Sequence, residues 1–268
     1  MPLDLSSLPT AVVGDRGLAD RLARCGVTVV DSAEAARVVV VAGAPGARAE
    51  AASEAVAHGA HVFLTWPPGV SAAELDAVGA RAEEAGVEVG VGRPPAAAAL
   101  LAERPAGWSA RLVSLSLGAA PGGRLLAACW PALLAGAADV CAGLAASGDV
   151  AHVEAEAERD GAGLRAVLFS LRFRNGALAQ AAVRSLPPES EDEVALYASR
   201  PGSRVEARSL GGPLHTEGVA LAPSAPDAGT LGALPFVRAV AAGRSPAYGL
   251  SDALGTLRLV ERILERLR

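Results

Sequence analysis

The feature that most limits the fold is an alternation in the first ninety or so residues. Short apolar runs, "TAVVGD", "VTVVD", "RVVVVAG", "AHVFLTWP" and "VEVGVG", have strand length and are rich in valine. Three helix-periodic segments separate most of them: "RGLADRLARCG", "ARAEAASEAVAHG" and "SAAELDAVGARAEEAG". Only "SAEAA" is too short for a full helix. Strands that are apolar on both faces and alternate with helices predict a parallel sheet covered on both sides. Ser71 with Glu74 three residues on reads as a capping box, and Gly86 as the stop of that helix.

From residue 109 the texture changes. "ARLVSLSLGA" alternates like a strand, and an apolar helix is expected over 123–146. "VAHVEAEAER", "LRAVLFSLRFRNGALAQAAVRS", "EVALYAS" and "SRVEARS" then alternate between Gly, Pro and Asn-Gly turns, with "RNGA" at 174–177 a hairpin signal of the type I′ kind. This predicts an antiparallel sheet with one greasier and one more polar face. Helices are expected over 235–243 and 251–268. The fold class is α/β: a Rossmann-like domain over 1–105, then an α+β domain with a mainly antiparallel open sheet over 106–268, whose closing helices pack back on the first domain. The Pro/Ala stretch 93–108 is the boundary candidate.

Composition excludes several function classes. Apolar residues make up 51% and charged residues 20%, as a packed core requires. A net charge of −5 without a basic run argues against nucleic acid or an anionic membrane as partner. All 24 basic residues are arginine, so no lysine Schiff base or lysine acid is available. Cys25, Cys129 and Cys141 are too scattered for a disulfide framework, and no spacing suggests a metal site. The start of the chain does not read as a signal peptide, and the expected compartment is the cytoplasm. The apolar stretch 125–146 is long enough for a membrane span, but Pro131, Asp139 and its many small residues favour a buried helix.

The order of five phrases resembles the Gfo/Idh/MocA oxidoreductases, the glucose–fructose oxidoreductase and inositol dehydrogenase family. They are "RVVVVAGAPGARAEAASEAVAHGAHV", "SAAELDAVGARAEEAGVEVGVG", "GGRLLAACWPALLAGAADVCAGLAA", "LRFRNGALAQAAVRS" and "FVRAVAAGRSPAYGLSDALGTLRLVERI". The resemblance implies a Rossmann domain that binds NAD(P), a small molecule in the interdomain cleft, and a C-terminal sheet whose open face makes dimers.

Carried over residue by residue, the family's chemistry is incomplete. The dinucleotide turn is "GDRGLA": Gly14 and Ala19 match, but Arg16 stands where the second glycine belongs and Asp15 adds negative charge beside a phosphate site. Alternatively Gly17 absorbs the turn and Arg16 pairs with a phosphate. Asp31, ending "VTVVD", is placed to hold a ribose or to cap the next turn. Gly43 and Ala44 stand for the family's Thr-Pro, and Arg48 for its His before Ala-Glu; Arg48 reads as a solvated arginine at a helix start, or alternatively as a partner for a phosphate or carboxylate. The family's Glu-Lys-Pro is Thr65, Trp66 and Pro67, so the catalytic lysine is a tryptophan, which neither ionises nor transfers a proton. The helix that carries the family's Asp and His has Ala128 and Ala132, with Cys129 nearby as an inert thiol. His58, His61 and His152 read as structural or solvated. His215, in the Gly-rich "GGPLHTEG" loop, and Tyr248 remain as catalytic candidates, and Gly14, Arg16, Asp31, Gly43, Thr65 and Trp66 as the cofactor-binding set.

The expectation is an oxidoreductase homologue without the Lys/Asp/His set, acting as a non-catalytic binding or partner subunit in a biosynthetic pathway, as a homodimer or beside an active enzyme. The alternatives are an NAD(P)H-dependent reductase of an activated C=N, C=O or C=C group and a cofactor-independent lyase or cyclase. NAD(P) is the one cofactor the resemblance implies; no metal is expected.

Overall fold

The structure is a computed structural model that describes residues 5–69, 71–102, 107–120, 130–161, 163–187, 189–208, 214–216, 219–221 and 228–268. The chain divides into two compact units, Met1–Arg93 with Pro226–Leu254, and Pro94–Ala225 with Gly255–Arg268.

In the first unit the apolar runs form β1 (Thr10–Val13), β2 (Val29–Val30), β3 (Val38–Val41), β4 (His61–Leu64) and β5 (Val89–Val91). They make one parallel sheet in the order β2-β1-β3-β4-β5. Every β3 side chain is buried, as a central strand covered on both faces requires. The helices are α1 (Arg16–Arg24), α2 (Arg48–Ala57), α3 (Ala72–Ala85) and, from the later segment, α6 (Ala228–Ala241). Leu18 and Leu22 of α1 and Phe236 and Val237 of α6 share one core with Val38, Val40 and Phe63. The Phe63 and Phe236 rings meet tilted, with centroids 5.4 Å apart. The Ser71–Glu74 capping box closes both ways: the Glu74 amide donates to Ser71 Oγ at 3.2 Å, and Ser71 N–H to the Glu74 carboxylate at 2.8 Å. Gly86 ends α3 in the left-handed region. The helix expected to start at Pro235 starts instead at Ala228 and holds Pro235 inside it. Starting the helix at its proline is therefore too strict a reading of that residue.

The second unit holds α4 (Pro95–Ala102), α5 (Trp130–Ala145) and eight strands: β6 (Leu112–Ala119), β7 (Val150–Asp160), β8 (Gly163–Phe173), β9 (Leu178–Ser185), β10 (Glu193–Arg200), β11 (Ser203–Ala207), β12 (Leu214–Thr216) and β13 (Val219–Leu221). Their order is β13-β12-β11-β10-β6-β9-β8-β7. Every neighbouring pair is antiparallel except β6 and β9. Helix α7 (Leu250–Arg266) starts in the first unit and continues in the second.

The alternation expected of this sheet is present. Val113, Leu115, Val167, Phe169, Leu171, Ala181 and Val183 are buried, and α5 packs against β6 and β9. The opposite face is open. It carries Leu112, Leu168, Leu178 and Tyr197, four of the five exposed large hydrophobic residues among the described residues. Of the helix expected over 123–146, the structure describes Trp130–Ala145; residues 121–129, with Ala128 and Cys129, lie outside the described residues. Among the described residues no helix is long and apolar enough to cross a membrane.

Two local readings are corrected. The turn between β8 and β9 is a hairpin, but not of type I′, which needs positive φ at both central residues. Gly176 has φ +84 and Asn175 does not have positive φ, and the Gly176 amide donates to the Phe173 carbonyl at 3.0 Å. This is a type I turn closed by a left-handed glycine. Asn175 is held there because its Oδ1 accepts from the Ala177 amide at 3.0 Å and its Nδ2 donates to the Ala145 carbonyl at 2.9 Å. His215, expected in a loop, lies on β12, paired with Glu206 on one side and Ala220 on the other.

Candidate functional site

In an open parallel sheet, ligands settle at the carboxyl ends of the strands, where the strand order reverses. Here the reversal lies between β1 and β3, whose carboxyl ends lead into Gly14 and Gly43. The two glycines are pressed together. Gly14 has φ +89, and a Cβ there would lie 2.2 Å from the Gly43 Cα. Neither the backbone angle nor the space admits a side chain at 14.

Asp15, next along, is the N-cap of α1. Its Oδ1 accepts from the Leu18 amide at 2.9 Å, and its other oxygen lies 3.9 Å from Arg21 Nη2. Arg16 is the first residue of α1 and is exposed. A dinucleotide in the usual Rossmann manner puts its diphosphate on the helix N-terminus and takes those amide donors. In this chain the donor at Leu18 is taken by an internal carboxylate, which also sets a negative charge where the phosphates would be. The turn does not fit a diphosphate in that manner. Asp31 follows β2 and is exposed.

Beside the switch lies the end of β4. Thr65 is tied to β3 twice: its amide donates to the Val41 carbonyl at 3.0 Å and its Oγ1 to the same oxygen at 3.2 Å. Trp66 is half-buried, in cis linkage to Pro67. Gly92, after β5, donates to the Leu64 carbonyl at 2.7 Å, and a Cβ on it would lie 2.9 Å from the Trp66 nitrogen. The indole Nε1 is buried and has no hydrogen-bond partner among the described residues.

Arg48 overturns its sequence reading. It is not a solvated arginine at a helix start but is 7% exposed. Its Nε donates to the Gly43 carbonyl at 2.7 Å, Nη1 to the carbonyls of Thr65 at 2.8 Å and of Pro67, and Nη2 to the Ala42 carbonyl at 3.2 Å. One guanidinium thus joins the loop after β3 to both sides of Trp66. Burial pushes its pKa below the ordinary arginine value, yet a guanidinium stays charged at any working pH. Nothing local in "APGARAE" signals this role, because all four carbonyls are brought to the side chain by the fold.

The remaining candidates scatter. Tyr248 lies in the first unit, its ring 4.9 Å from the Arg93 guanidinium, at the carboxyl end of β5. His215 belongs to the second unit. His61 is structural: its Nδ1 accepts from the Glu88 amide at 3.0 Å, and burial, then the charge of Arg37, lowers its pKa. Ala132 is buried in α5. Cys141 is fully buried, and its thiol is pushed up to about 12, by burial first and then by Asp139. Among the described residues, no cluster of His, Cys, Asp and Glu is suited to a metal ion.

No family model and no curated protein matches the chain. Solved structures do. UDP-N-acetylglucosamine 3-dehydrogenase GnnA from Acidithiobacillus ferrooxidans superposes with a TM-score of 0.80 at 17% identity, over 97% of each chain. KijD10, a 3-ketoreductase from Actinomadura kijaniata solved with NADP, gives 0.70 at 17% identity, over 97% of this chain and 98% of that one. Biliverdin reductase from Synechocystis, solved with biliverdin and NADP+, gives 0.70 at 15% identity, over 98% of this chain and 99% of that one. The fold of this chain, a parallel five-stranded unit followed by a mixed, mostly antiparallel sheet, is therefore that of the Gfo/Idh/MocA-type NAD(P)-dependent oxidoreductases its sequence resembles.

Proposed function

We propose that this chain is an oxidoreductase-fold protein that does not carry out lysine-assisted hydride transfer and works as a binding or partner subunit in a biosynthetic pathway. The observation that carries this reading is the N-terminus of α1, where the Asp15 carboxylate already holds the Leu18 amide. Trp66 supports it: at the lysine position stands an indole, which stacks on a flat ligand or fills the nicotinamide space but moves no proton. Removing a general acid alone costs about 10²–10⁴ in rate.

The partner surface is the open face of the eight-stranded sheet. Leu112 on β6 stands directly opposite Leu178 on β9, with Leu168 and Tyr197 on the neighbouring strands β8 and β10. Leu168 lies four residues along β8 from the position opposite Leu178, so the apolar residues are spread over the face, with Ser170 and Gln180 between them; such a face fits a second protein layer, from another copy or from an active relative. Leu112→Glu with Leu178→Glu is expected to turn a dimer into a monomer in light scattering; a chain that is monomeric before substitution removes the homodimer.

The test of function is a titration with NADH and NADPH, followed by calorimetry and by intrinsic fluorescence. Binding no tighter than about millimolar is expected for either cofactor. Micromolar binding with turnover of an imine or a conjugated carbonyl would instead establish the second reading, a reductase of an activated group. That reading is favoured by the likeness to structures solved with NADP.

A further inference from the structure

The corner formed by Arg48 and the Trp66 loop has a one-sided chemistry. The four hydrogen bonds of Arg48 all run to backbone carbonyls, and among the described residues no carboxylate pairs with it. Carbonyl dipoles satisfy the N–H groups but do not cancel a unit charge, whose field in a poorly solvated place reaches several ångströms. Glu50, two residues on, is exposed. A guanidinium has five N–H groups, so one of them lies beyond these four bonds.

The acceptors of the corner are engaged. Val41 O takes the amide and hydroxyl of Thr65, Leu64 O takes Gly92, and the carbonyls of Thr65 and Pro67 take Arg48. A buried donor remains, the indole Nε1 of Trp66, without a partner among the described residues. Buried polar groups are nearly always paired, so such a donor calls for an explanation. Donors in surplus, acceptors engaged and a positive charge without a counter-ion together define the complement: an oxygen that accepts, donates nothing and is negative.

The geometry points to this corner as a site for an anionic oxygen group, a carboxylate or a phosphoryl, that accepts from the Trp66 indole N–H, with Arg48 as the residue that positions Trp66 and supplies the charge. The inference rests on the reading that the corner binds a ligand rather than transferring hydride. With Trp in place of lysine, the corner still has a cation, contributed by α2 instead of by the end of β4.

The three tryptophans, Trp66, Trp108 and Trp130, permit a direct test. The full chain, labelled with 5-fluorotryptophan, gives one fluorine resonance for each, and Trp66→Phe assigns the one that matters. Malonate and inorganic phosphate are titrated separately against sodium chloride at equal ionic strength. A saturable shift of the Trp66 resonance is expected with one of the two anions and not with chloride; which anion acts distinguishes a carboxylate from a phosphoryl ligand. Arg48→Met should weaken the response at least tenfold, and Arg48→Lys, which keeps the charge with fewer donors, by less. If Arg48→Met does not fold, Arg48→Gln takes its place with the same tenfold expectation. A response no greater than that of chloride overturns the proposal, as does an undiminished response in a folded Met or Gln variant. Cofactor turnover would end the binding-subunit reading without touching this result, and an Arg48-independent response would end this inference alone.

Discussion

Asp15→Asn separates the two things Asp15 does. As a cap, its Oδ1 accepts from the Leu18 amide at 2.9 Å, and an asparagine oxygen serves equally well. Stability should therefore fall by no more than about 0.5 kcal/mol, the part due to losing a negative charge at a helix N-terminus. As a charge, it opposes a diphosphate at the same place. Two unit charges about 5 Å apart interact by about 3 kcal/mol at an effective dielectric of 20. The Asp15 side chain is 43% exposed, so solvent and salt leave roughly a third of that, about 1 kcal/mol. NADPH association should rise about fivefold in low salt and hardly at all in 1 M salt. Asp15→Ala removes cap and charge together and should cost about 1 kcal/mol of stability while giving the same gain in affinity. Calorimetry with millimolar NADPH and urea unfolding of the three proteins measure both quantities. If Asp15→Asn keeps its stability and gains no affinity, the carboxylate is not what sets this turn against the cofactor. If Asp15→Ala loses no stability, the cap is wrong.

Three further outcomes rest on the same geometry. Cys25 is exposed and Cys141 is fully buried with its thiol pushed up to about 12, so a maleimide should label Cys25 within minutes and Cys141 only after urea unfolding; rapid native labelling of Cys141 would contradict the packing of α5. His61 has its pKa lowered by burial, so the unfolded chain binds a proton more readily; its contribution is complete above the unfolded value near 6.5 and is lost as pH falls below it. The urea midpoint should therefore drop between pH 8 and pH 5.5 by more in the native protein than in His61→Asn, and equal drops would exclude His61 as the cause. Ala146 has φ +49 at the end of α5, where an alanine side chain is crowded; Ala146→Gly should stabilise by about 0.5–1 kcal/mol in urea, and a loss would show that the alanine is not strained.

The parallel unit is legible in the sequence because its signals are local. Valine runs predict strands, and Ser71 with Glu74 predicts a helix start, whatever else the chain does. The alternation around Phe169 and Leu171 likewise foretells a sheet with one buried face. The readings that fail depend on partners distant in sequence. Arg48 looks like any arginine at a helix start until the fold brings the Thr65 and Pro67 carbonyls to it. The turn at Asn175 takes its form from the Ala145 carbonyl, thirty residues back. That Trp66 follows directly on a buried strand is readable, because the apolar run before it marks the strand. That a guanidinium lies beneath the same loop is not readable, since it depends on how two strand ends are placed side by side.

The contact between Gly14 and Gly43 separates two kinds of constancy that a single sequence cannot. Any side chain at 14 strikes the neighbouring strand end, so a library selected only for soluble expression should return glycine there. Arg16 is exposed and touches no such wall, so the same selection should leave it free to vary, while Asp15 would drift among the residues that cap a helix. A second selection, for the biological role, would then be read against the first. Whatever becomes fixed at 15 and 16 only in that second experiment is held by use, and whatever is fixed in both is held by the backbone.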